Sequence, residues 1–435
     1  MWGRGVGAVV GVSRDDRVAS GHSRESGRAL RLLIISLYWP PAGGPGVQRP
    51  LKLAGELERL GVDVHVLAPD DPKWLHRDES APVPAGVTVH RAWNLGPRSR
   101  RPAEELRGRE GLDRLAVEAR LAFRRALVPD AAVLWNVTSV PTTVRLVREL
   151  RPDWVLTTSP PGSIHLAGAV AQRLTGVRWA ADLRDSIAFH PHRRHEVRGE
   201  ARLARLVARR ADAIVCAAPA IAAELRGYAP CGPVQVVENG CDFDDFAGLE
   251  YRPATTFRIT HTGSFFGLRD PRPFLDALAR VEASITARFV GDFRTRDREY
   301  AEGLGLGNRL ELVPYLPRRE ALALQRDSEA LLLLIPEARG RGVLTGKIFE
   351  YLASERPILA AVPLGGTAAE LIEQTRAGPV VAPDDVEGIA RALGDLERRH
   401  RAGALVQPSL SPEVRVGLSR MARAKELLAV LEEAS

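Results

Sequence analysis

No apolar run approaches the roughly 18 residues that a bilayer-crossing helix needs, so no spanning segment is expected. Cysteine is scarce. Cys216, Cys231 and Cys241 are all there are, and their spacing matches no metal or redox motif. This excludes a disulfide-stapled scaffold and suits a reducing cytoplasm. Zinc-finger spacings, basic runs interleaved with aromatics and RNA-binding signatures are all lacking, so no nucleic-acid partner is expected. The fingerprint G-x-G-x-x-G does not follow the first strand, which argues against nicotinamide or flavin chemistry. A secretory leader is also not expected. MWGRGVGAVVGVSRDD starts basic, but its apolar patch is short and Gly-rich, and Arg14-Asp15-Asp16-Arg17 closes it at once. Residues 1–28 read as a disordered extension, or as residues upstream of the true start.

At 435 residues the chain exceeds one ordinary core, and 45% hydrophobic with 26% charged residues is the composition of a soluble globular protein. The net charge is +7 and the pI about 9.7, with the basic residues nearly all arginine. That balance favours acidic partners such as nucleotides or phospholipids, or it reflects a genome-wide arginine bias.

A βα rhythm occurs twice. RLLIIS (31–36) is the first expected parallel strand, and Tyr38-Trp39-Pro40-Pro41-Ala42-Gly43-Gly44-Pro45-Gly46 is the loop after it. Val47–Leu60 has helical apolar spacing, and Val62–Leu67 is the next strand. Gly43 and Gly44 let backbone approach a ligand above the strand's carboxyl end, where open α/β sheets bind. Gln48 and Arg49, in the first helical turn, point toward the same place. The alternative for the glycines is a tight βα connection. A basic helix over 103–127 either lies on an anionic membrane or packs on its own domain. Further on, helices are expected at 144–150, 166–174, 197–210 and 219–228. They alternate with strands at 154–157, 179–183, 213–217 and 234–238. His165 opens a helix after the Ser159–Ser163 loop and is either a general acid/base or a capping contact. Asp182 and Arg184 alternate with apolar neighbours and are expected to face a cleft. Asp185 either hydrogen-bonds a polyol or pairs with an arginine.

Apolar periodicity lapses over 244–256, which places a linker there. The rhythm then restarts with a strand at Phe257–His261 and a small-residue turn at Thr262-Gly263-Ser264. Gly263 and Ser264 can present amides to a phosphate, with Arg269 or Arg272 as countercharge. After the apolar strand Ala330–Ile335 comes GVLTGKIFEYLASERPILA (342–360). Here Thr345 is the expected N-cap, its hydroxyl accepting from a free amide. Gly346 and Lys347 open a helix whose positive end attracts anions, and Glu350 shares its face. Phosphates would meet the amides and Lys347, and ribose hydroxyls would meet Glu350. The alternative is a surface helix with one Lys–Glu pair. A final helix is expected over 412–433. The whole is α/β, two Rossmann-like domains facing across a cleft.

Taken together, YWPPAGGPGVQRP, ADLRDS, VVENGCD, ITHTGSFFGLRDPRPFLDAL and TGKIFEYLASERPILA resemble the family 4 glycosyltransferases of the GT-B fold, over residues 31–433. The resemblance implies an N-terminal acceptor domain (29–243), a linker (244–256), a C-terminal donor domain (257–410) and a last segment (411–435) crossing back onto the first domain. It implies transfer of a sugar from a nucleotide-diphosphate sugar to a glycan, lipid-linked or small-molecule acceptor, with retention and without a metal or other cofactor. The enzyme would be cytoplasmic, with the basic helix as a peripheral contact to the inner membrane face. Lys347 and Arg269 or Arg272 are similar to the family's phosphate-binding cations, and Glu350 matches its ribose-binding glutamate. Gly43 and Gly44 match the loop near the diphosphate. His165 and Asp185 would contact acceptor or sugar. One position departs: the family's first glutamate stands eight residues before the second, where this chain has Gly342. Glu337 could substitute only through a remodelled loop. This departure keeps open the reading of a catalytically silent scaffold that binds a nucleotide sugar or a partner, and a nucleotide-sugar epimerase of the same fold is a further alternative.

Overall fold

The computed structural model describes residues 28–70, 77–79, 81–94, 111–187, 198–265, 269–282, 284–337, 342 and 344–435. Apart from Arg28, the extension expected over 1–28 lies outside the described residues.

The first half builds β1 (Arg31–Ser36), α1 (Pro45–Arg59), β2 (Asp63–Pro69), β3 (Thr88–Ala92), α2 (Gly111–Ala126), α3 (Asn136–Leu150), β4 (Trp154–Ser159), α4 (His165–Thr175), β5 (Arg178–Leu183), α5 (Arg198–Arg210), β6 (Ala213–Cys216), α6 (Pro219–Arg226) and β7 (Val234–Val236). Its seven strands form one sheet in the order β3-β2-β1-β4-β5-β6-β7, parallel throughout. The second half builds β8 (Phe257–Thr262), α7 (Arg272–Arg280), β9 (Ile285–Val290), α8 (Thr295–Gly303), β10 (Leu310–Val313), α9 (Arg318–Arg326), β11 (Ala330–Leu334), α10 (Gly346–Ala353), β12 (Ile358–Ala361), α11 (Thr367–Thr375), β13 (Val380–Val381) and α12 (Val386–Arg401). Six parallel strands stand in the order β10-β9-β8-β11-β12-β13. The central strands are buried on both faces, which is why RLLIIS and ALLLL are nearly continuous apolar runs.

The structure departs from the sequence expectations in places. α3 starts at Asn136 rather than Val144 and carries Pro141 inside it. The β-branched stretch around an interior proline is a poor helix signal that packing overrides. α8 was not expected at all. Its TRDREYAEG sequence has little apolar periodicity, and only Asp297 and Ala301 are buried. The described part of the basic helix is α2; residues 103–110 lie outside the described residues.

The final helix is two helices, α13 (Pro412–Leu418) and α14 (Arg420–Glu433). Ser419 separates them and caps the second, its Oγ accepting from Ala422 N at 3.1 Å. At this break the chain lies beside Cys241, whose amide donates to Leu418 O at 2.7 Å. α14 then returns to the first domain. Ala424, Leu427, Val430 and Leu431 join a core with Leu32, Ile34, Leu53 and Leu57. Burying each leucine contributes about 1.5–3 kcal/mol, so this helix is part of the first domain's core.

Arg49 and Asp182 do not face a cleft. They form an ion pair inside the first domain, with side chains 2% exposed each and Arg49 Nη2 2.8 Å from Asp182 Oδ1. Arg49 also donates to the carbonyls of Val237 (2.8 Å) and Glu238 (2.9 Å), and Thr158 Oγ1 donates to Asp182 Oδ2 at 2.7 Å. Arg184 turns back onto the carbonyls of Gly46, Ser159 and Pro160. Of the two residues whose alternation suggested a cleft, Asp182 is buried because Arg49 satisfies it, and Arg184 is taken up by backbone carbonyls.

Candidate active site

Loops at the carboxyl ends of the two sheets meet. After β1, Gly43 lies so close to the loop after β10 that a Cβ on it would be 2.6 Å from Tyr315 Oη. Asp78 Oδ2 accepts from Arg318 N at 3.1 Å. After β6, Ala220 faces the loop after β11, where a Cβ on Gly342 would sit 2.8 Å from that of Ala220. These contacts leave no room for an acidic side chain at position 342 unless α6 moves, which gives a steric reason for the glycine there.

On the C-terminal side, β8 ends in the turn Thr262–Phe265. Gly263 has φ +122, and a Cβ there would collide with Lys347 Nζ. Only glycine holds this conformation readily and lets the lysine head rest on the backbone. The turn is tied to the end of β9: Gly263 N donates to Val290 O at 2.7 Å, and Ser264 Oγ donates to Asp292 Oδ2 at 3.0 Å. Arg269 Nη1 donates to Ser264 O at 3.2 Å. Arg272 goes elsewhere: its guanidinium lies 5.1 Å from the Tyr300 ring centroid, and its Nε is 3.9 Å from Asp297. Of the two arginines expected as countercharge, Arg269 is the one the fold brings to this turn.

α10 supplies the remaining groups. Thr345 sits at its N-cap with extended backbone, but its hydroxyl makes no capping bond. That buried oxygen has no hydrogen-bond partner among the described residues. Gly346 and Lys347 open the first turn, where Ile348 N bonds Thr345 O at 3.2 Å. Lys347 Nζ lies 3.1 Å from His261 Nε2. Glu350 does not pair with Lys347. Its Oε1 accepts from Arg318 at 2.5 Å and its Oε2 from Gln325 Nε2 at 3.4 Å. Tyr351 Oη accepts from Thr262 N at 2.9 Å, and burial pushes its phenol up to about 12.

Arg318 was not expected at the site. Besides Glu350 it pairs with Asp245 (2.9 Å) and Asp242 (3.6 Å), and Lys52 of α1 pairs with the same two aspartates. Burial disfavours the Arg318 charge, but Glu350, Asp242 and Asp245 outweigh it and raise its pKa. The Glu350 carboxylate is thus one end of an ion chain running to the first domain's α1. Nothing in PYLPRRE marks Arg318 over Arg319 as the buried member.

On the N-terminal side Asp185 is exposed just beyond β5. His165 is 0% exposed, packed in the first domain against Thr157 and Trp179. Its Nδ1 lies 2.8 Å from Thr157 Oγ1, which also accepts from Trp179 Nε1 at 2.8 Å. Burial lowers its pKa from 6.5 to about 4. Between those values the unfolded chain binds a proton that the folded chain does not. This contribution to stability is complete above pH 6.5 and is lost as the pH falls toward 4, about 3 kcal/mol in all. Chemical denaturation at neutral and mildly acid pH is expected to show that loss, reduced in His165→Gln. An unchanged acid loss in the variant would assign it to other groups.

Among the described residues no group of three or more His, Cys, Asp or Glu is placed to hold a metal ion, and no helix is long and apolar enough to cross a membrane.

Comparison with known proteins agrees with this architecture. Residues 43–240 match the model of the glycosyl transferase 4-like domain, and residues 256–398 match that of glycosyl transferases group 1. No curated protein matches the sequence significantly. Among solved structures, sucrose-phosphate synthase from Thermosynechococcus elongatus superposes with a TM-score of 0.63 at 14% identity, covering 93% of this chain and 98% of that one. Anabaena HepE, in complex with UDP and glucose, gives 0.61 at 17% identity, with 93% and 100% covered. A glycosyltransferase from Rickettsia africae gives 0.60 at 14%, with 93% and 98% covered. At these identities the structural likeness shows the fold, and the two family models cover most of the chain. The chain therefore belongs to the GT-B glycosyltransferases, with a glycosyl transferase 4-like first domain and a group 1 second domain.

Proposed function

We propose that the enzyme moves a sugar from a nucleotide-diphosphate sugar, bound by the C-terminal domain, to an acceptor bound across the cleft by the N-terminal domain. The observation that carries this is the placing of Lys347 against Gly263, with Arg269 on the same turn and Glu350 one helical turn along α10. A departing diphosphate gains negative charge. Fixed cations and the amide end of α10 would stabilise it without a metal ion. Glu350, its carboxylate already oriented by Arg318, would accept the ribose hydroxyls, and Asp185 would face the acceptor or its sugar. Retention of anomeric configuration is the outcome we propose, supported by the family resemblance. A thermal-shift screen of nucleotide sugars is the first test, since a ligand that binds only the folded state raises the melting temperature. Product anomers read by NMR, and turnover in excess chelator, test the rest. An inverted product, or chelator-sensitive turnover restored by a divalent ion, would overturn those parts. Glu350→Ala is expected to weaken nucleotide binding, and calorimetry showing unchanged affinity would remove the ribose assignment.

A second observation concerns location. α2 leaves Leu112, Leu115 and Phe123 exposed by 85%, 60% and 57%. Its sequence carries Arg114, Arg120, Arg124 and Arg125 against Asp113 and Glu118. Exposed apolar side chains on a helix of net basic sequence suit an anionic bilayer surface, and three free cysteines suit the cytoplasmic side. Sedimentation with phosphatidylglycerol vesicles but not phosphatidylcholine vesicles is expected, with loss in Leu112→Glu/Leu115→Glu. Equal sedimentation of the variant would sink this reading.

A further inference from the structure

Lys347 needs something to hold its flexible side chain, because a lysine head on a four-carbon stem loses much rotamer freedom when fixed. The structure supplies an acceptor from the neighbouring strand. His261 ends β8 fully buried, its ring packed beside Phe265 (centroids 4.9 Å apart) and Phe289 (6.2 Å). Its Nδ1 lies 2.8 Å from Leu332 O, which can only accept, so the ring proton belongs on Nδ1. Nε2 is then a lone pair, and it faces Lys347 Nζ at 3.1 Å. A proton on Nε2 as well would set an imidazolium against an ammonium inside the protein. Burial opposes that state first, and the Lys347 charge, with Arg269 beyond it, opposes it further. Lys347 and Arg269 are the charged groups bearing on the ring, and both are cations. The histidine is therefore a neutral, fixed acceptor.

We propose that His261 is a positioning residue for the phosphate-binding lysine: its Nε2 accepts from Lys347 Nζ and fixes the ammonium over the Gly263 turn, where the donor diphosphate binds. This rests on the reading of Lys347 given above. One ring does two separable things. Nδ1 bonds the neighbouring strand, a structural contact, and Nε2 aims the cation. Two substitutions divide them. Asn places a donor where Nδ1 was and nothing where Nε2 was; Gln places an acceptor near Nε2.

The test measures binding of UDP and GDP by calorimetry, and of uridine and guanosine by NMR titration, to the full-length protein and to the two variants. His261→Asn is expected to weaken the preferred nucleoside diphosphate about five- to thirtyfold, the scale of one charge-assisted hydrogen bond, and to leave the nucleoside within about twofold. His261→Gln is expected to hold both within about threefold of wild type. The proposal is overturned if Asn preserves the diphosphate-to-nucleoside ratio, or if Gln loses as much of it as Asn. A purely structural histidine would give the opposite order, or would weaken nucleoside and diphosphate together. If the wild type itself binds the diphosphates no better than the nucleosides, the assignment of Lys347 fails first and this proposal goes with it.

Discussion

Replacing Lys347 with alanine is expected to slow glycosyl transfer about tenfold to thousandfold, reaching at its upper end the scale of removing one preorganised charge-stabilising group. The lysine head rests on the backbone of Gly263 and is anchored by His261. In the proposed mechanism it would therefore meet developing charge without first being reorganised. Its effect should be larger on turnover than on the Michaelis constant, because the diphosphate carries more charge as the glycosidic bond breaks than it does in the bound donor. Lys347→Arg should not rescue fully, since a planar guanidinium presents its charge and donors differently from a compact ammonium. Steady-state kinetics with the donor identified by thermal shift would check this. Wild-type turnover in the alanine variant would remove Lys347 from the mechanism.

Arg49→Met is expected to destabilise the protein by about 3–5 kcal/mol, because it leaves the Asp182 carboxylate buried with its cation gone. In the intact protein burial pushes the Asp182 pKa upward, and Arg49, Thr158 and Arg184 more than reverse this. The guanidinium also binds the Val237 and Glu238 carbonyls, so the strand end leading toward the second domain would lose two partners at once. Urea unfolding of the single variant, compared with Arg49→Met/Asp182→Leu, separates the contributions. The double variant should recover much of the loss, since an apolar pair of similar volume often matches a buried ion pair. A single variant within about 1 kcal/mol of wild type would mean that water reaches Asp182.

The regular parts of the fold were legible because their chemistry is local. RLLIIS and ALLLL are short apolar runs followed by turn residues, the pattern of strands buried on both faces. The juxtaposition of the candidate groups was legible where one stretch holds them: Thr345 is the N-cap residue of one short helix, and Lys347 and Glu350 lie on it. What could not be read depends on partners far away in sequence. Arg49 and Asp182 are 133 residues apart and satisfy each other, so charges that looked like a cleft are core. His261 and Lys347 are 86 apart, and a histidine in THTG carries no mark of that contact. Arg318 and Glu350 are joined by a turn of the fold that no local pattern describes. His165 shows the reverse error. A histidine after a Ser-Pro-Pro-Gly-Ser loop looks available, and only the packing of Trp179 and Thr157 around it reveals that it is sealed in.

The returning helix α14 has a consequence for how the protein is made. The face of the first domain formed by Leu53 and Leu57 is closed by Leu427 and Leu431, which leave the ribosome after the entire second domain. During synthesis the half translated first is the half completed last. Until the final residues dock, it presents an open apolar surface to chaperones and to other nascent chains. A fragment stopped after the first sheet should keep that surface permanently and aggregate, whereas adding residues 411–435 as a separate peptide should rescue it.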